Sequence, residues 1–197
     1  QLEAEGVEFV TNANIGVNVP IADLQQDYDA IVLCGGACEA RDLPVPGREL
    51  NGIHLAMDYL PLQNRRCEGD DVPEPDFISA EGKHVVIIGG GDTGADCLGT
   101  ANRQGAVSVH QLEIMPRPPE HRTEDNPWPE WPRIYRVSSA HEEGVERLYA
   151  VSTKRFIDDG NGNVAALELT NVEVKTVDGR PVVEEVPDST HQIKADL

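Results

Sequence analysis

The chain has 197 residues, 39% of them hydrophobic, enough for one or two domains with a real core. Its 16 basic and 35 acidic side chains leave a net charge of −19, which argues against nucleic acid or an anionic membrane surface as partner. No stretch approaches a membrane span and no signal pattern opens the chain. Cys34, Cys38, Cys67 and Cys97 form no C-x-x-C pair, so no local zinc or iron–sulfur motif exists. Buried free thiols in a reducing, cytoplasmic compartment are expected, with Cys34 in a buried-looking strand and Cys97 in the helix after the glycine turn.

In chain order, residues 1–6 read as the end of a helix capped by Gly6. Strands are expected over 7–10 and 15–19, with a short polar helix or turn over 23–27. Residues 28–37 read as a buried strand ending in a glycine turn, Gly35-Gly36-Ala37. A parallel strand needs neighbours, and the residues before it are too few to supply them. The closing Lys194-Ala195-Asp196-Leu197 echoes Asp27-Tyr28-Asp29-Ala30, the lead-in to that strand. The expectation is a fragment of a longer protein built from two related nucleotide-binding domains.

A proline loop over 41–47 and a short helix over 56–63 follow. A charged, proline-bearing connector then serves as the domain boundary, with domains expected over 1–64 and 83–197 and a linker over 65–82. Next comes His84-Val85-Val86-Ile87-Ile88-Gly89-Gly90-Gly91-Asp92-Thr93-Gly94, a β-branched strand running into G-x-G-x-x-G, with a helix over 95–104. Strand, glycine turn and helix together make a dinucleotide cradle. Gly89 allows the tight turn, Gly91 lets backbone approach a pyrophosphate, and Gly94 lets helix and strand pack closely. Gly90 completes the turn. Asp92 and Thr93, at the helix N-terminus, bond the nucleotide, cap the helix, or do both. The plain alternative is a glycine turn with no ligand.

A second strand over 107–112 ends at Glu113, 19 residues past Gly94, the spacing expected for the acid that bonds the adenosine ribose. A carboxylate there accepts from the ribose hydroxyls and repels a 2′-phosphate, so the site leans to NADH. Arg117, close behind, offers a 2′-phosphate a cation, which keeps NADPH open. A solvated loop acid is the plain alternative for Glu113. Residues 115–132 form an irregular loop with six prolines and both tryptophans. Arg117 and Arg122 meet phosphate or a partner, or are solvated. His84 and His110 read as structural, and His121 and His141 flank the loop without a metal-ligand spacing partner. Strands over 147–157 and 164–172 flank Asp158-Asp159-Gly160-Asn161-Gly162-Asn163, and strands over 174–177 and 182–186 flank Asp178-Gly179, two hairpin signals. The fold class expected is α/β: a Rossmann-like NAD(P)-binding domain with an antiparallel β-meander. No acid–base pair, nucleophile or metal site is expected.

Over nearly its whole length the chain resembles the small (beta) subunit of glutamate synthase, NADH- or NADPH-dependent. The resemblance is carried by residues 85–97, by Gln111-Leu112-Glu113-Ile114-Met115-Pro116-Arg117-Pro118-Pro119 and by Asn126-Pro127-Trp128-Pro129-Glu130-Trp131-Pro132-Arg133. His141-Glu142-Glu143 and Thr153-Lys154-Arg155-Phe156 also match. It implies a two-dinucleotide-fold flavin oxidoreductase, in which hydride passes from NAD(P)H to FAD. Electrons then pass through iron–sulfur clusters to a large (alpha) subunit that makes glutamate from glutamine and 2-oxoglutarate. On that likeness residues 1–64 are the tail of a FAD-binding domain, with Gly35, Gly36 and Ala37 near the flavin. Residues 83–197 are the NAD(P)H domain, and the fragment alone is inactive. The cysteine clusters and the first FAD fingerprint are absent from this segment, which puts FAD and iron–sulfur centres in the rest of the protein. Three other readings stand beside it: a methyltransferase, a non-catalytic NADH-sensing module, and a module docking a large subunit through Trp128 and Trp131.

Overall fold

The computed structural model describes residues 1–37, 39–177 and 180–197. It forms two compact units, Gln1–Glu39 and Ala40–Leu197. In the first, a 3₁₀ turn over Glu3–Glu5 is closed by Gly6 at φ 93°. Helix α1 (Ile21–Asp27) starts after Pro20. Residues 15–19 make a turn closed by a single bridge, Ile15 to Val19. The Asn18 side chain braces it, accepting from the Asn14 N–H at 2.7 Å and donating to the Asn12 carbonyl.

The strands expected over 7–10 and 28–34 do not form. Val32 and Leu33 are 82% and 92% exposed. A strand's N–H and C=O groups need a neighbouring strand, and among the described residues none lies alongside. A β-branched run therefore stays solvated coil despite its propensity. Cys38 lies outside the described residues.

The second unit holds the rest. Helix α2 (Ala56–Glu68) runs past its expected end at residue 63 and closes at Gly69, φ 92°. Arg66 folds the following segment back onto it. The guanidinium donates to the Val72 carbonyl at 3.0 Å and to Glu74 at 2.8 Å, and lies 3.3 Å from the Phe77 ring centroid. Residues 65–82 lie inside this unit and are mostly exposed, with Val72 and Ala80 buried.

Strands β1 (His84–Ile88), β2 (Ser108–Glu113) and β3 (Glu146–Tyr149) form a parallel sheet in that order. Helix α3 (Asp92–Gln104) crosses from β1 to β2 and ends at Gly105, φ 89°. It buries Ala95, Leu98 and Ala101 against Val85 and Val109, the small-residue face that lets helix and strands approach. Gln104 ties α3 to α2. Its Oε1 accepts from the Tyr59 hydroxyl at 2.9 Å and the Ala80 N–H at 2.8 Å, while its amide donates to Gln63. A short helix, α4 (Ser139–Glu142), precedes β3.

The single strand expected over 147–157 is broken at Ala150, φ 54°. That left-handed residue swings the chain from the parallel sheet into an antiparallel one of β4 (Val151–Asp158), β5 (Val164–Val177), β6 (Arg180–Glu185) and β7 (His191–Lys194). Both sheets then share one core: Leu112 from β2, Val151 and Phe156 from β4, Leu167 and Leu169 from β5. Tertiary burial, not local pattern, decides the break.

The β4–β5 turn forms as expected. Asp158 Oδ1 accepts from the Gly160 and Gly162 N–H groups, and Asp159 Oδ1 from those of Asn161 and Asn163. The Asn163 amide, then those backbone donors, hold the Asp159 carboxyl well below its usual range. The Asp178-Gly179 turn lies outside the described residues. After β7 the chain reaches β1, where the Val86 N–H donates to the Leu197 carbonyl at 2.9 Å. Among the described residues no helix is long and apolar enough to cross a membrane.

Candidate functional site

The glycine turn sits at the carboxyl end of β1, over the N-terminus of α3. Gly89 has φ 130°, a conformation that side chains rarely adopt. Its N–H donates to the Leu112 carbonyl at 2.8 Å, fixing the turn to the end of β2. Gly91 is extended and open: a Cβ there would meet nothing within 4 Å. Gly94 is the opposite case, since a Cβ would run into the Gly89 carbonyl oxygen. The three glycines therefore differ in kind: Gly89 by its φ, Gly91 by its open surroundings and Gly94 by its close contact. Asp92 and Thr93 are exposed in the first turn of α3. Free N–H groups and the positive helix end face outwards there.

Glu113, at the end of β2, reaches back to this turn. Its Oε2 accepts from the Gly90 N–H at 3.1 Å and its Oε1 from the Met115 N–H at 2.9 Å. Each oxygen keeps further acceptor capacity. The carboxylate thus braces the loop and stays available.

A cleft of about 360 Å³ opens beside the turn, lined by Gly90, Gly91, Tyr135, Arg136, His141 and Arg147 among others. Two of these residues were not legible as site residues in the sequence. Arg136 and Arg147 reach the cleft from the loop before α4 and from β3, and neither has a carboxylate within ion-pair distance among the described residues. Arg147 is held by aromatic faces, 5.0 Å from the Tyr135 centroid and 5.3 Å from that of Tyr149. In a chain of charge −19, two guanidiniums without a carboxylate partner make this cleft locally positive.

The arginines expected from sequence sit differently. Arg117 pairs with Glu120 at 2.6 Å and stacks on the outside of Tyr135, 4.2 Å from its centroid. Arg122 is a loop brace, its Nη1 donating to the Asn126 and Glu130 carbonyls. Asn126 is 1% exposed and holds the same loop from within, bonding Glu130, the Trp131 carbonyl and the Arg133 N–H. The brace leaves Trp128 and Trp131 83% and 75% exposed.

His141 is not a loose loop residue. Burial, then the nearby Arg147 charge, lowers its pKa. Gly35, Gly36 and Ala37 lie exposed in the N-terminal unit, with open space where a Cβ at Gly35 or Gly36 would stand. Cys97 is buried in α3, and Cys34 and Cys67 are exposed. Among the described residues no three His, Cys, Asp or Glu groups converge as a metal site. A second cavity of about 300 Å³ runs along β1, lined by Val86, Ile88, Tyr59 and Phe156 among others. It is mostly apolar, and Arg48 at its rim is already paired with Asp42 at 2.6 Å. The cleft at the glycine turn is the better candidate on chemistry.

The family described as pyridine nucleotide-disulphide oxidoreductase matches residues 1–186. The glutamate synthase [NADPH] small chain of Mycobacterium tuberculosis (strain H37Rv) is 54% identical over 200 residues, covering 100% of this chain and 40% of that one. Glutamate synthase [NADH] of Schizosaccharomyces pombe is 43% identical over 202 residues, 98% of this chain and 10% of its own length. The chain thus spans about 40% of the small chain it matches. Among solved structures, Mycobacterium tuberculosis FprA in complex with NADPH superposes with a TM-score of 0.57. It is 16% identical, over 94% of this chain and 52% of that one, a likeness of fold.

Proposed function

The chain belongs to the pyridine nucleotide-disulphide oxidoreductase family, and from that premise we propose that it is the pyridine-nucleotide-binding part of a glutamate synthase small subunit. One observation carries the binding role: an open glycine turn over a helix N-terminus, bonded to Glu113 through the Gly90 N–H, beside a cleft lined by Arg136 and Arg147. The residues fit NAD(P)H. Gly91 gives the pyrophosphate room, Asp92 and Thr93 stand at the helix end, and Glu113 accepts from the ribose. When bound, the nucleotide supplies a hydride for a flavin. This chain orients it and shields its phosphates. Arg136 and Arg147, neither paired with a carboxylate among the described residues, extend the reading from NADH to NADPH, because they offer a 2′-phosphate positive charge that Arg117, already paired, does not.

In the whole protein, FAD is assigned to a domain of which residues 1–64 are the tail, with Gly35, Gly36 and Ala37 beside it. Iron–sulfur clusters, the large (alpha) subunit and the synthesis of glutamate in the cytoplasm belong to the same proposal, outside this chain. A docking role is supported by Trp128 and Trp131, which stand out from a loop braced by Asn126.

The test is titration of the full chain with NADH, NADPH and S-adenosylmethionine, alongside Glu113→Ala. Binding of a pyridine nucleotide but not S-adenosylmethionine, with NADH weakened in the variant, supports the reading. Protection by S-adenosylmethionine alone would replace it with a methyltransferase.

A further inference from the structure

Beneath the glycine turn lies a polar side chain for which nucleotide contact gives no task. Gln111 on β2 is 1% exposed. A buried amide needs partners at both ends. Its Nε2 donates to the Gly89 carbonyl at 3.0 Å, and its Oε1 lies 3.1 Å from His141 Nε2. His141 Nδ1 receives the Ser138 backbone N–H at 3.1 Å and sits 2.7 Å from the Ser138 hydroxyl. A backbone N–H only donates, so Nδ1 carries no hydrogen and Nε2 carries one. That hydrogen turns Oε1 of Gln111 towards His141 and its amide hydrogens towards Gly89.

The Gly89 carbonyl and the Gly90 N–H belong to one peptide plane. Gln111 holds the carbonyl and Glu113 holds the N–H. The two side chains are two apart on β2 and project from the same face of the strand. A plane between two glycines flips with little steric hindrance. A flip here would turn the Gly89 carbonyl towards the Glu113 carboxylate and the Gly90 N–H towards the Gln111 amide, losing both hydrogen bonds and reshaping the turn. Gly94 packs against the same point: a Cβ there would lie 2.8 Å from Gln111 Nε2.

We propose that Gln111 and His141 are positioning residues that, with Glu113, clamp the Gly89–Gly90 peptide plane in the orientation that receives the dinucleotide pyrophosphate. His141 fixes the direction of the Gln111 amide, and Gln111 fixes the carbonyl. This rests on the proposed function, and adds to it a reason why the turn holds its shape before the ligand arrives.

The test compares wild type, Gln111→Met, His141→Leu and His141→Gln in the full chain. NADPH and NADH are titrated by tryptophan fluorescence, melting curves confirm folding, and imidazole nitrogen NMR reads the tautomer. A hydrogen bond's typical contribution gives an expected loss of about tenfold in affinity for Gln111→Met and about fivefold for His141→Leu. His141→Gln, whose amide both accepts from Ser138 and donates to Gln111, restores affinity to within about twofold of wild type. The wild-type spectrum shows the Nε2–H tautomer, and Gln111→Met keeps it, because the Ser138 N–H still donates to Nδ1. Unchanged affinity in folded Gln111→Met or His141→Leu overturns the clamp alone. Should Gln111→Met not fold, the two His141 variants decide. Binding of neither nucleotide by wild type removes the function and the clamp together.

Discussion

Arg147 Nη1 donates to the Arg136 carbonyl at 2.9 Å, so a guanidinium from β3 holds the backbone that presents a second one. Both residues line the cleft, from chain positions 11 apart in sequence, and the Arg136 guanidinium lies 4.5 Å from the Trp131 ring centroid. Removing either should weaken NADPH more than NADH. We expect Arg136→Ala to lower NADPH affinity about tenfold, and Arg147→Ala more, since it also frees the Arg136 backbone. Titration across salt concentrations checks this. Equal losses for both nucleotides would mean that the arginines meet the shared pyrophosphate instead.

Glu113→Gln separates charge from bracing. The amide keeps an oxygen for the Gly90 N–H, so the clamp survives in part. The lost negative charge removes repulsion of a 2′-phosphate. The NADPH-to-NADH affinity ratio should rise about fivefold or more, with the melting temperature little changed. Competitive titration reads the ratio.

The glycines should divide cleanly. Gly94→Ala forces a Cβ onto the Gly89 carbonyl and should cost about 2 kcal/mol of stability. Gly91→Ala meets open space at φ −81°, so it should leave the melting temperature nearly unchanged yet reduce nucleotide affinity. Loss of stability in Gly91→Ala would show that its openness serves folding.

Burial, with Asp96 next to it, pushes the Cys97 thiol up to about 11. The thiolate is the reactive form. Cys97 should therefore resist maleimide at neutral pH while exposed Cys34 and Cys67 react. Mass mapping before and after denaturant reads this directly, with Cys97 labelled only in the unfolded chain.

Trp128→Ala with Trp131→Ala should leave stability within about 0.5 kcal/mol, because both rings are mostly exposed and the loop is held by Asn126. Nucleotide binding should be spared as well. Pull-down of a glutamate synthase large subunit should weaken. Unchanged capture would remove docking as the purpose of the loop.

The sequence by itself determined the strand–turn–helix over 84–104, the second strand ending at Glu113 and the hairpin turn at 158–163. Each is local: β-branched runs, glycines at fixed offsets and paired Asp–Asn–Gly residues carry their own geometry. Only the tertiary structure decided the rest. It broke the run over 147–157 at Ala150, because two sheets of different direction had to share one core. It left Ile31, Val32 and Leu33 as coil, because a strand without neighbours has nothing to bond. It gathered Arg136, His141 and Arg147 against the glycine turn from positions dozens of residues away, and moved Arg122 out of the site into its loop. Local pattern fixes which elements form. Which side chains meet in a cleft depends on sheet register, such as Gln111 beside Arg147, and no single stretch of sequence contains that information.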